Sequence, residues 1–233
     1  MYTEDFKEFV SNGVDKYYIG IGNPNAKILY VGKESAIDQD NTEGLNLYNR
    51  NAADWKNHVV NNTCEPLFYE VSKEHPFRKE KSWGKNTWSK YQKLTNNIFR
   101  REERPNYIDF LKEVFTTEIN DSPNKNTSSA NKGTLNERKQ LLKDSKFIQC
   151  FPVVVLACSN YIQNNDEQRE INEIFNVRYS GGGKSFSKGN WYYLHYSDDK
   201  TKLVIHTRQL STNVKKELLD EVGEAIRKHL NLE

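Results

Sequence analysis

Glu34 and His206 are the side chains whose chemistry and local setting match best in this chain of 233 residues. Glu34 follows the apolar run Ile28-Leu29-Tyr30-Val31 within Gly32-Lys33-Glu34-Ser35-Ala36. His206 follows Leu203-Val204-Ile205 and opens His206-Thr207-Arg208-Gln209-Leu210-Ser211. A hydrophobic strand that breaks at once into a polar loop delivers polar residues at its carboxyl end, where ligands bind in open α/β sheets. A carboxylate can stabilise a growing cation or orient water, and an imidazole can donate to a departing oxygen or nitrogen. Brought into one crevice, the two suit the cleavage of a bond that leaves positive charge on one side and negative charge on the other.

The elements needed to position them can be read from periodicity. Thr3 to Val10 places Phe6, Phe9 and Val10 on one helical face, and Gly22-Asn23-Pro24-Asn25 makes a turn before the first strand. Trp88 to Phe99 has helical spacing through Tyr91, Leu94 and Ile98, and Tyr107 to Val114 reads as a second helix leading into a strand at Phe115. Between them and the first strand, Asp38 to Lys81 is polar and rich in Asn, with Trp55 and Phe68 as expected anchors. Asn120 to Gly133 is polar and of low complexity, the composition of a mobile surface loop. Thr134-Leu135-Asn136-Glu137 fits a capping box. Phe151 to Ala157 is almost continuously apolar, as a buried parallel strand is. Gln168 to Phe175 and Asn213 to Leu230 complete the helices. This alternation predicts an α/β protein: a three-layer αβα sandwich on a short, mainly parallel central sheet, with residues 1–233 forming one domain.

Composition narrows the class. A hydrophobic content of 36% spread through 233 residues can bury a single sizeable core. No apolar run reaches the length of a membrane span, and the polar start Met1-Tyr2-Thr3-Glu4-Asp5 is unlike a signal peptide, which predicts a cytoplasmic protein. The 3 cysteines, Cys64, Cys150 and Cys158, show no metal-ligand spacing, so no metal is assigned, and Cys150 and Cys158 read as core thiols. With 34 basic and 32 acidic residues the net charge is only +2, so affinity for nucleic acid would have to come from local patches. Candidates are Arg78-Lys79-Glu80-Lys81 with Lys85 and Lys90, Arg100-Arg101 with Arg104, and Lys184 and Lys188 beside Arg208. Gly181-Gly182-Gly183-Lys184-Ser185 lacks the leading glycine of a phosphate loop and precedes a strand, so it reads as a hairpin or flexible loop. Trp83, Trp88 and Tyr91 could stack on bases or pack a helix on the core, and helical spacing favours packing.

The two loops, taken with what lies between them, resemble the uracil-DNA glycosylase superfamily. Its first motif, of the type G-Q-D-P-Y or G-E-A-P-G, is similar to Gly32-Lys33-Glu34-Ser35-Ala36, and its second, H-P-S-P-L-S, to His206 through Ser211. Val114 to Asn120 resembles the middle strand, and Phe151 to Cys158 the strand after the next helix. The resemblance implies hydrolysis of the N-glycosidic bond of a deaminated or modified base in single- or double-stranded DNA, by a monomer without a cofactor. Glu34 and His206 would be catalytic, with Gly32, Lys33, Ser35, Glu118 and Asn120 around the base. Arg208, Leu210, Ser211 and Lys215 would contact DNA, Leu210 as the wedge that replaces a flipped base and Arg208 on a phosphate. The family's base-reading asparagine aligns with Glu118, or with Asn120 if the register slips. An ionised glutamate only accepts hydrogen bonds, which favours bases bearing an exocyclic amino group. The departures from both motifs, in particular Thr207-Arg208-Gln209 in place of Pro-Ser-Pro, leave a second expectation: a noncatalytic nucleobase- or nucleic-acid-binding module that retains the pocket.

Overall fold

The computed structural model describes residues 1–61, 64–69, 83–165, 167–187 and 189–232. One seven-stranded sheet runs through them in the order β1-β3-β2-β4-β7-β6-β5. Its strands are β1 (Ile21–Gly22), β2 (Ile28–Gly32), β3 (Phe115–Glu118), β4 (Val153–Leu156), β5 (Arg178–Ser187), β6 (Asn190–Tyr196) and β7 (Leu203–Thr207). The middle four, β3-β2-β4-β7, are parallel, with Leu29 opposite both Phe115 and Val154, and Leu156 opposite His206. These strands therefore end at one edge, and the segments after β2, β3, β4 and β7 share it.

β2, β4 and the first three residues of β7 are apolar on both sides because helices cover both faces. Leu29, Val31, Val154, Leu156 and Val204 face one cluster with Phe6, Trp55, Phe147 and Ile171. These come from α1 (Glu4–Gly13), α3 (Asn51–Val60), α6 (Lys146–Gln149) and α7 (Glu170–Phe175). Ile28, Tyr30, Val153, Val155 and Ile205 face a second cluster with Leu94, Ile98, Leu218 and Val222, from α4 (Thr87–Phe99) and α8 (Lys216–Leu230). The remaining α-helices among the described residues are α2 (Thr42–Asn49) and α5 (Leu135–Asp144). Each fully buried aliphatic side chain of this kind stabilises the fold by about 1.5–3 kcal/mol relative to exposure.

The three layers agree with the sequence pattern, but the sheet is mixed. Three ladders are parallel and three, β1·β3, β5·β6 and β6·β7, are antiparallel. Short connections are the reason: the turn at Gly189 between β5 and β6 cannot make the long crossover that parallel strands need. Gly181 to Gly183 lie inside β5 instead of at the turn. Tyr107 to Val114 holds only a 3-10 turn at Phe110–Lys112. Thr134 makes no side-chain cap; its hydroxyl donates to Asn120 Oδ1 instead, at 3.2 Å. Trp55 is fully buried, whereas Phe68 is 50% exposed. Cys158 is buried but Cys150 is exposed. No helix among the described residues is long and apolar enough to cross a membrane.

Candidate functional site

Glu34 lies two residues beyond β2 and is 7% exposed. The Thr127 hydroxyl donates to its Oε1 and the Tyr161 hydroxyl to its Oε2, each at 2.6 Å. Hydrogen bonds of this length to a carboxyl oxygen are in the range of charge-assisted ones. Tyr161 belongs to a 3-10 turn, Ser159–Tyr161, just after β4. His206, near the end of β7 and 6% exposed, bonds to the same turn: its Nε2 lies 3.0 Å from the Ser159 carbonyl oxygen. A carbonyl only accepts, so Nε2 carries the proton. Burial lowers the His206 pKa, opposed by the Ser159 bond, and favours the neutral ring. Glu34 and His206 thus approach the end of β4 from its two neighbouring strands.

Glu118 closes the floor beside β2. It ends β3 opposite Gly32, and a Cβ at position 32 would overlap Glu118 Oε2 and lie 3.0 Å from its Cδ. Only glycine leaves that space. The side chain is partly exposed, yet Oε2 is sealed from solvent without a hydrogen-bond partner. Burial first, and then the nearby Glu34, raise its pKa to about 8 against the opposing pull of Arg138. Near neutral pH Glu118 is therefore a carboxylic acid, able to donate as well as accept. The expectation from sequence, that it would only accept, changes accordingly. Arg138, 2% exposed, fixes this end of β3 by donating to the Glu118 carbonyl, the Thr117 hydroxyl and the Tyr18 carbonyl.

Lys33 is 8% exposed; its Nζ donates to Asn160 Oδ1 at 3.2 Å and sits 4.6 Å from the Tyr161 ring centroid. Lys132 stands over the same ring at 5.4 Å. Burial lowers the Lys33 pKa, and Glu34 partly offsets this. Asn120 is fully buried, donating to the Asn131 carbonyl and accepting from Thr134. The Ser35 carbonyl accepts from Asn124 N at 3.0 Å. With Lys125 paired to Asp38, Gln39 donating to the Pro123 carbonyl, and Thr127 on Glu34, these contacts fold residues 121–133 back over the first loop. The low-complexity stretch is thus tied to the first loop by hydrogen bonds and an ion pair.

The residues expected to touch DNA are placed differently. Leu210 is 1% exposed and packs in the cluster of Ile205, Val214 and Leu218, so it is a core residue here; a wedge would need an exposed side chain. The Arg208 guanidinium donates to the carbonyls of Gln209, Thr212 and Asn213, bracing its own loop, and holds no phosphate-facing fork in this arrangement. Ser211 is partly exposed, with its backbone N–H on the Gln209 carbonyl. Lys215 is exposed and its N–H bonds Asn190 Oδ1. Of the basic patches, Arg78 to Lys81 and Lys188 lie outside the described residues. Arg101 pairs with Glu113, Lys184 with Glu221, and Lys90 donates to the Val214 carbonyl. Trp88 and Tyr91 pack on Phe110, and the Trp83 indole donates to Glu103, so this trio is structural.

Tyr161, Thr127 and Lys132 escaped the sequence reading, and Ser159 shows no nucleophile-elbow pattern there. Ser159-Asn160-Tyr161 carries the same signal as the other two loops, polar residues directly after a buried strand, and that signal was available. Thr127 and Lys132 lie in a polar stretch with no periodicity to mark them. No group of His, Cys, Asp and Glu among the described residues is arranged to hold a metal ion. No family model, curated protein or solved structure matches the chain.

Proposed function

We propose that this protein binds a nucleobase at the carboxyl edge of its four parallel strands and hydrolyses the N-glycosidic bond of a deaminated or modified base in DNA. The observation that carries the reading is the convergence of Glu34 and His206 on the single turn Ser159–Tyr161. Breaking an N-glycosidic bond places positive charge on the sugar and negative charge on the base. Glu34, held by two hydroxyl donors, suits the sugar side, where it would stabilise the cation or orient water. His206 is a neutral donor suited to a base carbonyl; its Nε2–H would exchange the Ser159 carbonyl for the base. Glu118 as a carboxylic acid can donate as well as accept, and Gly32 leaves room for its carboxyl at the end of β3, so a base reaching this end would meet a neutral group. The two motifs, with the segments Val114 to Asn120 and Phe151 to Cys158 between them, are the features that resemble the uracil-DNA glycosylase superfamily.

The noncatalytic module is favoured by two observations: Leu210 is in the core, and the Arg208 donors are used within their own loop. Incubating the protein with oligonucleotides that each carry one altered base, then cleaving abasic sites with alkali, separates the readings. The enzyme is expected to yield cleavage on at least one oligonucleotide, with Glu34→Gln lowering turnover by orders of magnitude while affinity changes little. Binding without cleavage on every oligonucleotide refutes the enzyme and supports the module.

A further inference from the structure

The antiparallel β5–β6 hairpin brings aromatic side chains beside the candidate site. Trp191 and Tyr193 on β6 have ring centroids 5.4 Å apart, and Tyr179 on β5 meets Tyr193 at 6.0 Å. The series does not stop at the hairpin, because the Trp191 ring meets His206 edge-on at 4.9 Å. In register, Tyr193 lies between Gly183 and His206, and Trp191 lies opposite Ser185. Small residues on β5 thus flank both rings. A Cβ at Gly183 would lie 2.9 Å from Tyr193 Cα and 3.1 Å from its Cδ1, and the backbone there has φ +141°. Glycine is the residue that tolerates both the conformation and the crowding. Tyr179 on β5 is 43% exposed and Tyr193 on β6 38%, although Tyr192 and His195, close by on β6, are buried.

We propose that Tyr179, Tyr193 and Trp191 form a stacking platform for the unpaired bases of a single-stranded nucleic acid that continues past His206. Aromatic side chains accept any base by its π-face, so such a platform is tolerant of sequence. Beyond His206 the Ser159–Tyr161 turn leads to Lys132, exposed over the Tyr161 ring, and to Lys33, nearly buried between that ring and Asn160 with Glu34 beside it. Unpaired bases on the rings and phosphates near these cations give the surface the two complementarities that single strands need. Single-strand binding also fits Leu210, since an unpaired base needs no wedge. The direction of the strand rests on the nucleobase reading above; the platform itself does not.

The test uses the full chain and a fluorescein-labelled, undamaged oligothymidylate of about 15 nucleotides. The wild type is expected to bind it, with Trp191→Leu and Tyr193→Leu each weakening affinity by roughly 5- to 100-fold. Tyr193→Phe should restore affinity, and the salt dependence should hardly change because no phosphate contact is lost. Wild type that fails to bind the undamaged strand, or full affinity in both leucine variants, overturns the proposal. So does a change in sedimentation of the leucine variants with affinity intact, which would make the platform a contact between copies of this chain. Binding with this pattern but no abasic product from the altered oligonucleotides would uphold the platform and refute the glycosylase reading alone.

Discussion

Replacing Glu118 by glutamine should make the protein more stable in alkali and change little in weak acid. In the folded chain the Glu118 pKa rises from 4.5 to about 8, chiefly because Oε2 is buried against Gly32 without a partner, and then because Glu34 is close. Between these values the folded state binds more protons than the unfolded state, so stability falls as pH rises from 4.5 to about 8 and levels off above it. At about 1.4 kcal/mol per pH unit the full loss is about 5 kcal/mol, of which about 3 kcal/mol falls between about pH 5.5 and 8.5. Solvent reaching the rest of the side chain screens part of this and leaves on the order of 2 kcal/mol. Glutamine does not titrate, so Glu118→Gln should lack this decline. Tyr18, Tyr91, Cys158, Arg138 and Glu34 are the other titratable or charged groups coupled to Glu118, and all of them remain in the variant. Subtracting one pH profile from the other also cancels His195 and His206, whose lowered pKa values reduce stability in acid. Urea denaturation of both proteins across this range measures the difference. Parallel profiles would refute the placement of a protonated carboxyl at position 118.

Two further outcomes are expected. Tyr161→Phe removes the 2.6 Å donor to Glu34 Oε2 and should cost about 1.5–3 kcal/mol of stability by denaturant titration; no loss would show that this bond is replaced by solvent. Leu210→Ala should cost about 2–5 kcal/mol while leaving the salt dependence of any DNA binding unchanged, as a core residue does; lost affinity without lost stability would return Leu210 to the role of a wedge.

What the sequence determined by itself is the set of segments with a strong period or a sharp break. The apolar runs Ile28–Val31, Val153–Leu156 and Leu203–Ile205 became buried parallel strands, because only a two-sided core accepts such runs. The breaks after them located Glu34 and His206 at strand ends, since polar side chains must leave that core. Tertiary structure alone decided who their partners are. Tyr161 and Thr127 lie 127 and 93 residues from Glu34, and no local pattern records a bond made across such a separation. The same holds for Glu118, whose raised pKa comes from burial against Gly32 and then from Glu34 in the loop after β2. Leu210 and Arg208 show the opposite error. Their residue types suit DNA, but the chain after β7 turns inward, so the leucine enters the core and the guanidinium satisfies the carbonyls of its own loop. Periodicity reports which face of an element is apolar; which polar groups end up sharing the remaining space depends on how the strands are ordered in the sheet.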